Sequence, residues 1–203
     1  MATTNVREAL QAAAEGTKVV VTGNLEYAKY MTQVLQGDEL AKEVAREEQY
    51  SKHPEYIMRD PKIRFSLGDP KCQKQGDQPS ALEQAFMAKV YTRKDGTTAL
   101  DYERRAPKRK DGTYFVPITF GVKGSDGKIH KVNLAGKDLA SDQRVTLTYE
   151  VYKAKMGKGL ALRTVVFEEE PKLFQPNLPD GWVDDSEAPD ANGENGVGDD
   201  LFS

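Results

Sequence analysis

The chain has 203 residues, of which 30% are charged, and a formal net charge of −3. That total conceals an asymmetry, because residues 1–84 carry a net −2, residues 85–167 carry +9 and residues 168–203 carry −10. A single cysteine excludes a disulfide framework, and two histidines offer no spacing for zinc. A basic body beside an acidic terminus predicts a polyanion site and an internal competitor for it.

The hydropathy pattern excludes two further classes of protein. No apolar run reaches the ~18 residues of a membrane helix, and the N-terminus lacks the pattern of a secretory signal. We therefore expect a cytoplasmic protein with no cofactor, no metal and no membrane partner.

The first fifty residues predict two helices and at least one strand. Residues 4–15 begin with a Thr or Asn cap and are followed by Gly16, a pattern that favours a helix. The β-branched run 17–22 predicts a strand, and residues 24–35 fit either a helix or the continuation of a long first strand. Residues 38–50 carry apolar side chains on one side only and charges on the other, which is typical of a peripheral helix.

The next segment predicts a strand and a third helix. Residues 63–67 read as a strand that ends in a turn at Gly68-Asp69-Pro70. Ser80 and Glu83 have the spacing of a capping box, so a helix over 81–90 is favoured, although part of that stretch also alternates as a strand.

From residue 95 onward the pattern is β. Three Asp-Gly pairs, at 95–96, 111–112 and 126–127, predict hairpin turns. The predicted strands are 97–103, 113–122, 128–134, 143–153 and 160–168. A single helical turn is expected at 136–139. We therefore predict a mainly β fold, a small antiparallel barrel or sandwich with one to three peripheral helices.

The C-terminal segment has a different composition. Residues 178–203 contain six Asp and two Glu but no Lys or Arg, and apolar residues are sparse. Such a segment is expected to stay disordered. We divide the chain into an N-terminal helical segment (1–16), a folded domain (17–175) and a disordered acidic tail (176–203).

The tail ends on Asp199-Asp200-Leu201-Phe202-Ser203, where carboxylates precede an apolar pair. This ending favours a short peptide that enters a partner's pocket or folds back onto a basic groove. The alternative is a tail that only improves solubility.

The densest basic run, residues 104–110, holds five charges in seven residues. Pro107 and the following Asp-Gly predict a loop between strands, where mobile cations can follow a phosphate backbone. The alternative is a solvated loop. The candidate cations of this run are Arg104, Arg105, Lys108, Arg109 and Lys110.

Alternation along the strands predicts which rings point outward. Tyr152 and Phe115 face away from the predicted core, and Arg163 lies opposite Leu160 and Leu162. A ring beside Lys or Arg on an open sheet is a platform for unpaired bases, with each stack worth ~1–3 kcal/mol. The alternative is a ring that packs beneath a loop or at a dimer contact. The remaining candidate DNA contacts are Arg93, Lys94, Lys153, Lys155 and Lys158.

Catalysis has little support in the sequence. It contains neither a Gly-rich phosphate loop nor a nucleophile elbow. Acid pairs such as Asp184-Asp185 lie in the predicted tail, and His53 and His130 read as surface residues. We therefore expect no enzymatic activity.

Several stretches together resemble the single-stranded-DNA-binding proteins of T7-like and related bacteriophages. The resemblance covers residues 60–170 and the character of the tail. It is carried by Asp111-Gly112-Thr113 and the β-run after it, by residues 128–134, 145–153 and 157–163, by an acidic tail with an aromatic near its end, and by a smaller match at 69–73.

This resemblance implies an OB-fold, a five-stranded barrel that coats unpaired DNA in phage replication, recombination and repair. It also implies a tail that guards the groove when DNA is absent and contacts replication proteins such as a polymerase or helicase-primase. Phe202 would be the tail's aromatic, with Leu201 beside it and Asp199 and Asp200 as its acidic approach. The location would then be the host cytoplasm. The alternative function is that of an adaptor, which recruits a polymerase or nuclease without binding DNA tightly. A homodimer is also possible.

Overall fold

The computed structural model describes residues 6–73 and 79–174. Its helices are α1 (Val6–Ala12), α2 (Gly37–Tyr50) and α3 (Ala81–Met87), with a 3₁₀ turn at Pro54–Tyr56. Its strands are β1 (Lys18–Leu35), β2 (Lys62–Gln73), β3 (Tyr91–Thr92), β4 (Thr98–Arg105), β5 (Thr119–Lys123), β6 (Ile129–Val132), β7 (Gln143–Ala154) and β8 (Gly157–Phe167). The predicted tail, from residue 176, lies outside the described residues.

Within these residues the strands form one sheet in the order β3-β4-β2-β1-β7-β8-β5-β6. Neighbours are antiparallel except β5 and β8, which are parallel. The mainly β prediction is confirmed. Eight strands are present where a five-stranded barrel was expected, and the five longest are the consecutive neighbours β4-β2-β1-β7-β8. β4 and β8 line two shared cavities, so the sheet curls back on itself in a way consistent with an OB-like fold.

β1 is the centre of the sheet and settles the ambiguity over residues 24–35. It runs for 18 residues, pairing with β2 on one side and β7 on the other. Val19, Val21 and Leu25 are fully buried, as the β-branched run predicts. At Gly23 an added Cβ would lie 2.8 Å from the Gly68 carbonyl oxygen, so only glycine allows the two strands to approach this closely.

The turn predicted at Gly68-Asp69-Pro70 is wrong, because β2 continues through it. Thr22 pairs with Lys71 and Asn24 pairs with Gly68, so Gly23 alone stands opposite Asp69 and Pro70. This is a β-bulge, in which Asp69 takes a left-handed φ of 46°. A proline is tolerated here because it has no N–H to donate, and at a bulge one residue lies outside the ladder of hydrogen bonds.

Two other predicted elements are corrected in the second half of the chain. Residues 113–118 do not form a strand, apart from an isolated bridge between Lys108 and Tyr114, and β5 begins only at Thr119. Pro117 interrupts the run because it has no N–H to donate. Residues 136–139 do not form a helical turn. A hydrogen-bonded turn spans 134–137, where the Lys137 N–H donates to the Leu134 carbonyl over 3.1 Å, and Leu139 makes an isolated bridge with Leu173.

The predicted helices are present, with α3 shorter than expected. Its capping box is complete: the Glu83 N–H donates to Ser80 Oγ over 3.2 Å and the Ser80 N–H donates to Glu83 Oε2 over 2.6 Å. The first helix is described from Val6, and its Ala9 is buried in the main core. α2 is held by a separate small cluster, in which its Leu40 packs with Tyr30 and Leu35 of β1.

A column of rings fills the core beneath β4 and β7. Phe86 of α3 lies 4.7 Å from the ring of Tyr149, and Tyr149 lies 6.1 Å from Tyr102. Tyr102 in turn stacks on Phe65 at 4.8 Å. Burial raises the pKa of Tyr149 and, less strongly, that of Tyr102. The column therefore places uncharged rings beneath the outer surface of β4 and β7.

No helix in the described part of the chain is long and apolar enough to cross a membrane.

Candidate nucleic-acid interface

Tyr152 lies between two guanidinium groups on the outer face of β7. Arg104 Nη2 donates to Tyr152 Oη over 3.3 Å, and its Cζ lies 5.7 Å from the ring centroid. The Cζ of Arg163 lies 5.9 Å from the same centroid. The structure thus brings together three predicted site residues from β4, β7 and β8, which we call the Tyr152 cluster.

Gly159 sets the position of the Tyr152 ring. The two residues are register partners across β7 and β8, and an added Cβ at Gly159 would lie 2.6 Å from ring atoms. Only a residue without a side chain lets the ring lie flat against β8. The ring is therefore half-buried, with Arg104 and Arg163 near it.

Two cavities follow the gap between β4 and β8, which are not hydrogen-bonded to each other in the described residues. The first, about 340 Å³, is lined by Tyr152 and by β4 from Leu100 to Arg104, over the rings of Phe86 and Tyr149. The second, about 390 Å³, is lined by cations and apolar groups: Arg104, Arg105, Ala106, Pro107, Phe115, Pro117, Ala161, Leu162 and Arg163. We call the two cavities together the β4–β8 cleft.

A tight turn places Arg109 over Phe115. The Arg109 N–H donates to the Thr113 carbonyl over 2.7 Å, and Gly112 has a φ of +92°. Asp111 Oδ1 accepts the Thr113 N–H at 2.9 Å, and this hydrogen bond, together with that from the Thr113 hydroxyl, lowers the pKa of Asp111. The guanidinium carbon of Arg109 then lies 4.7 Å from the Phe115 ring centroid.

A third cavity of about 730 Å³ lies between the end of β1 and β6 and also has Phe115 among its lining residues. We call it the β1–β6 groove. Arg109, Gln33, Lys131 and Asn133 line it together with Phe115. Phe115 is thus a wall shared by the cleft and the groove.

Two predicted DNA contacts are engaged in holding the fold. Arg93 donates through both terminal nitrogens to the Glu26 carboxylate, one bond measuring 2.9 Å, and this pairing raises the pKa of Arg93. Lys158 Nζ donates to the carbonyls of Gln11 at 2.8 Å and Ala13 at 2.5 Å, at the end of α1. The protein itself supplies the acceptors for these two cations.

The remaining predicted cations differ in their distance from the cleft and in their contacts. Arg105 is paired with Asp60, and Lys108 Nζ lies 5.4 Å from the Tyr114 ring centroid. Lys94, Lys110, Lys153 and Lys155 are exposed. Lys153 and Lys155 follow Tyr152 near the β7–β8 hairpin. Lys94, like Arg93, lies in the β3–β4 turn, at the opposite end of β4 from Arg105.

Sequence reasoning missed several lining residues. Lys89, whose Nζ lies 5.8 Å from the Phe86 ring centroid, and Tyr102 both line the cleft. Lys131 and Asn133 were seen only as part of a strand, and Gln33 lies about a hundred residues from them in sequence. Alternation within 128–134 could have indicated the outward Lys131, but only the fold brings Gln33 to it.

The predicted tail contacts Asp199, Asp200, Leu201 and Phe202 lie outside the described residues. Among the residues that are described, no three His, Cys, Asp or Glu side chains are grouped so as to hold a metal ion.

Comparison with known proteins gives one weak likeness. No family model matches the chain, and no curated protein matches it. Among solved structures, it is similar to the crystal structure of gp2.5, a single-stranded DNA-binding protein encoded by bacteriophage T7. The TM-score is 0.38 at 13% sequence identity, over 88% of this chain and 98% of that chain. A likeness at this level transfers no function, so the functional conclusion rests on the geometry of the cleft.

Proposed function

We propose that this protein binds single-stranded DNA in the β4–β8 cleft with little sequence preference. The observation that carries the proposal is the half-buried Tyr152 ring between Arg104 and Arg163. The ring offers a stacking face worth ~1–3 kcal/mol per base, and the guanidinium groups offer charge to the phosphates on either side. A ring recessed in a cleft can be reached by an unstacked base but not by a base inside a duplex.

The charges of the cleft support an anionic ligand. Two carboxylates line its first cavity, but both are already engaged by the protein. Asp101 accepts from Ser66 Oγ at 2.6 Å and from Tyr91 Oη at 3.0 Å. Glu103 pairs with the buried Lys62 at 2.9 Å. No carboxylate is among the residues lining the second cavity. Asp60 pairs with Arg105, however, and Glu150 Oε1 lies 3.8 Å from Arg163 Nη2. A phosphate there would compete with these two carboxylates for Arg105 and Arg163, and would meet Arg104 beside the Tyr152 ring.

Fluorescence anisotropy with oligo-dT and a duplex of equal length, at two salt concentrations, tests this function. We expect tighter binding to the single strand, and a clear loss in the double variant Arg104→Ala/Arg163→Ala. Removal of two phosphate contacts should also make the plot of log K against log salt shallower by about 1.4. The matched control Lys42→Ala/Lys52→Ala removes two exposed charges of the same sign far from the cleft along the chain.

Equal affinity for single and double strands, or equal losses in the two double variants, would remove the basis for DNA binding in the cleft. The adaptor function would then be the better hypothesis.

We further propose that the protein coats single-stranded DNA during replication, recombination and repair, and that its acidic tail competes for the cleft. The support is charge complementarity: residues 178–203 carry a net −8, and residues 85–167 carry +9. A tethered anion acts at a high effective concentration. On this proposal Asp199, Asp200, Leu201 and Phe202 recruit replication proteins, such as a polymerase or helicase-primase, when DNA displaces the tail.

A further inference from the structure

We propose that the β1–β6 groove holds one nucleotide of the same DNA strand and discriminates among bases, an inference that rests on the proposed function. The groove differs chemically from the cleft. Side-chain amides of Gln33, Gln36 and Asn133 line it, whereas no Asn or Gln is among the residues lining the cleft. An amide offers both a donor and an acceptor to a base edge, whereas a cation offers donors only and a ring offers only its face.

Two of these amides have a fixed orientation. Gln33 Nε2 donates to Asp138 Oδ1 over 2.7 Å, which directs its carbonyl oxygen away from Asp138 as an acceptor. Asn133 Oδ1 accepts the Ala135 N–H at 3.2 Å, which leaves its amide nitrogen as a donor. The groove therefore presents a defined acceptor and a defined donor.

The rest of the groove suits the sugar, the phosphate and the base face. Arg109 and Lys131 line it, and no carboxylate is among its lining residues. Phe115 supplies a ring against which a base can lie. The volume of the groove, about 730 Å³, is within the ~300–1,000 Å³ usual for small-ligand sites and is enough for one nucleotide.

Phe115 connects the groove to the cleft. A strand that passes Tyr152 and Arg163 reaches the second cavity, and Phe115, which lines that cavity, also lines the groove. No carboxylate lines either of these two cavities. A continuous strand can thus extend from a base-independent segment into a segment that reads bases. The two cations would attract an acidic peptide as well as a phosphate, and it is the three amides together with the Phe115 ring that favour a base.

The test compares oligo-dT, oligo-dC and oligo-dA of equal length, bound to the full chain and to the variant Gln36→Ala/Asn133→Ala. A base–amide hydrogen bond should make the three dissociation constants of the wild type differ by about three- to tenfold. In the variant the differences among the three values should shrink, because Gln33 is then the one amide left among the lining residues of the groove. Gln36 is exposed and its side chain makes no capping bond to α2, so its removal leaves the fold intact. The matched control is Gln49→Ala, an exposed amide at the other end of α2.

Three results would overturn the inference: equal constants in the wild type, an unchanged ratio in the amide variant, or a uniform loss for all three oligonucleotides. A fourth result would also overturn it: the variant captures a synthetic peptide of residues 190–203 more weakly, while the ratios of the three oligonucleotide dissociation constants do not change. The groove would then be a peptide site. Each of these is distinct from failure of the proposed function, because Arg104→Ala/Arg163→Ala should weaken all three oligonucleotides by the same factor.

Discussion

At the scale of single residues, the surroundings decide which cations are available to a ligand. Arg93 and Arg104 look alike in the sequence, since both are arginines near strands in the basic half. In the structure Arg93 is paired with Glu26, while Arg104 lies beside the Tyr152 ring. Alternation could predict that Tyr152 faces outward. It could not predict that Arg104 lies beside Tyr152, about fifty residues away along the chain, or that Arg93 pairs with Glu26, about seventy residues away.

The Tyr152 ring should depend on Gly159 for its position. Gly159 does not have a left-handed φ, so the backbone tolerates alanine, but the new methyl group would occupy space 2.6 Å from ring atoms. We expect Gly159→Ala to displace the ring and weaken single-stranded DNA binding by about 1–3 kcal/mol on every homopolymer, the same loss that we expect from Tyr152→Ala. Titration of oligo-dT and oligo-dA measures this loss.

Tyr152→Phe is the control, because it keeps the stacking face and loses only the hydrogen bond from Arg104. Its loss should be the smaller one. Wild-type affinity in Gly159→Ala, with an unchanged melting temperature, would show that the ring does not contact DNA.

At the scale of elements, short-range chemistry predicted the turns well. The three Asp-Gly turns have one geometry, in which the aspartate side chain accepts the N–H two residues on and the glycine has a positive φ. Each turn depends only on its own few residues. The bulge at Asp69-Pro70 resembles a turn in sequence, because its place in β2 depends on Gly23 in another strand.

The attachment of α2 to β1 should be sensitive to acid. Glu39 accepts from Tyr30 Oη at 2.9 Å and from Lys29 Nζ at 3.3 Å, and these bonds, with that from Tyr30 the larger, lower the pKa of Glu39. A lowered carboxyl pKa stabilises the folded state above the unfolded pKa, and this contribution is lost as the pH falls through the lowered value. We expect α2 to lose amide-exchange protection in acid before β7 does.

Tyr30→Phe provides the matched comparison for this pH dependence. Without the hydroxyl, Glu39 should protonate at a higher pH, so the midpoint of α2 release should move upward. Exchange measured across the pH range, corrected for the intrinsic rate, gives both midpoints. Identical midpoints would mean that the ion pairs of Glu43 and Glu47 with Arg64, not the Tyr30 bond, hold the helix.

At the scale of the whole molecule, the sequence predicted the fold class and the charge asymmetry but not the shape of the site. Composition and alternation are properties of single segments, so strands and a basic region could be predicted from them. The cleft exists because the sheet curls until β4 faces β8, and the groove exists because β1 extends far enough to meet β6. Both depend on contacts between distant segments.

Deletion of residues 178–203 should tighten binding to single-stranded DNA at low salt. If the tether gives the tail an effective concentration of ~1 mM, and the tail binds the cleft with a dissociation constant of ~0.1 mM, deletion should raise the DNA affinity about tenfold. The increase should shrink at high salt, because both competitors for the cleft are anions. Anisotropy titrations of the full chain and the truncated chain at two salt concentrations measure the change.

The variant Asp199→Asn/Asp200→Asn/Phe202→Ala separates the two functions proposed for the tail. It keeps six of the eight acidic groups of residues 178–203, so most of the competition with DNA should persist while capture of a replication partner is lost. Equal DNA affinity of the full and truncated chains at low salt would contradict competition by the tail. Unaltered partner capture by the triple variant would show that the terminal residues do not recruit that partner.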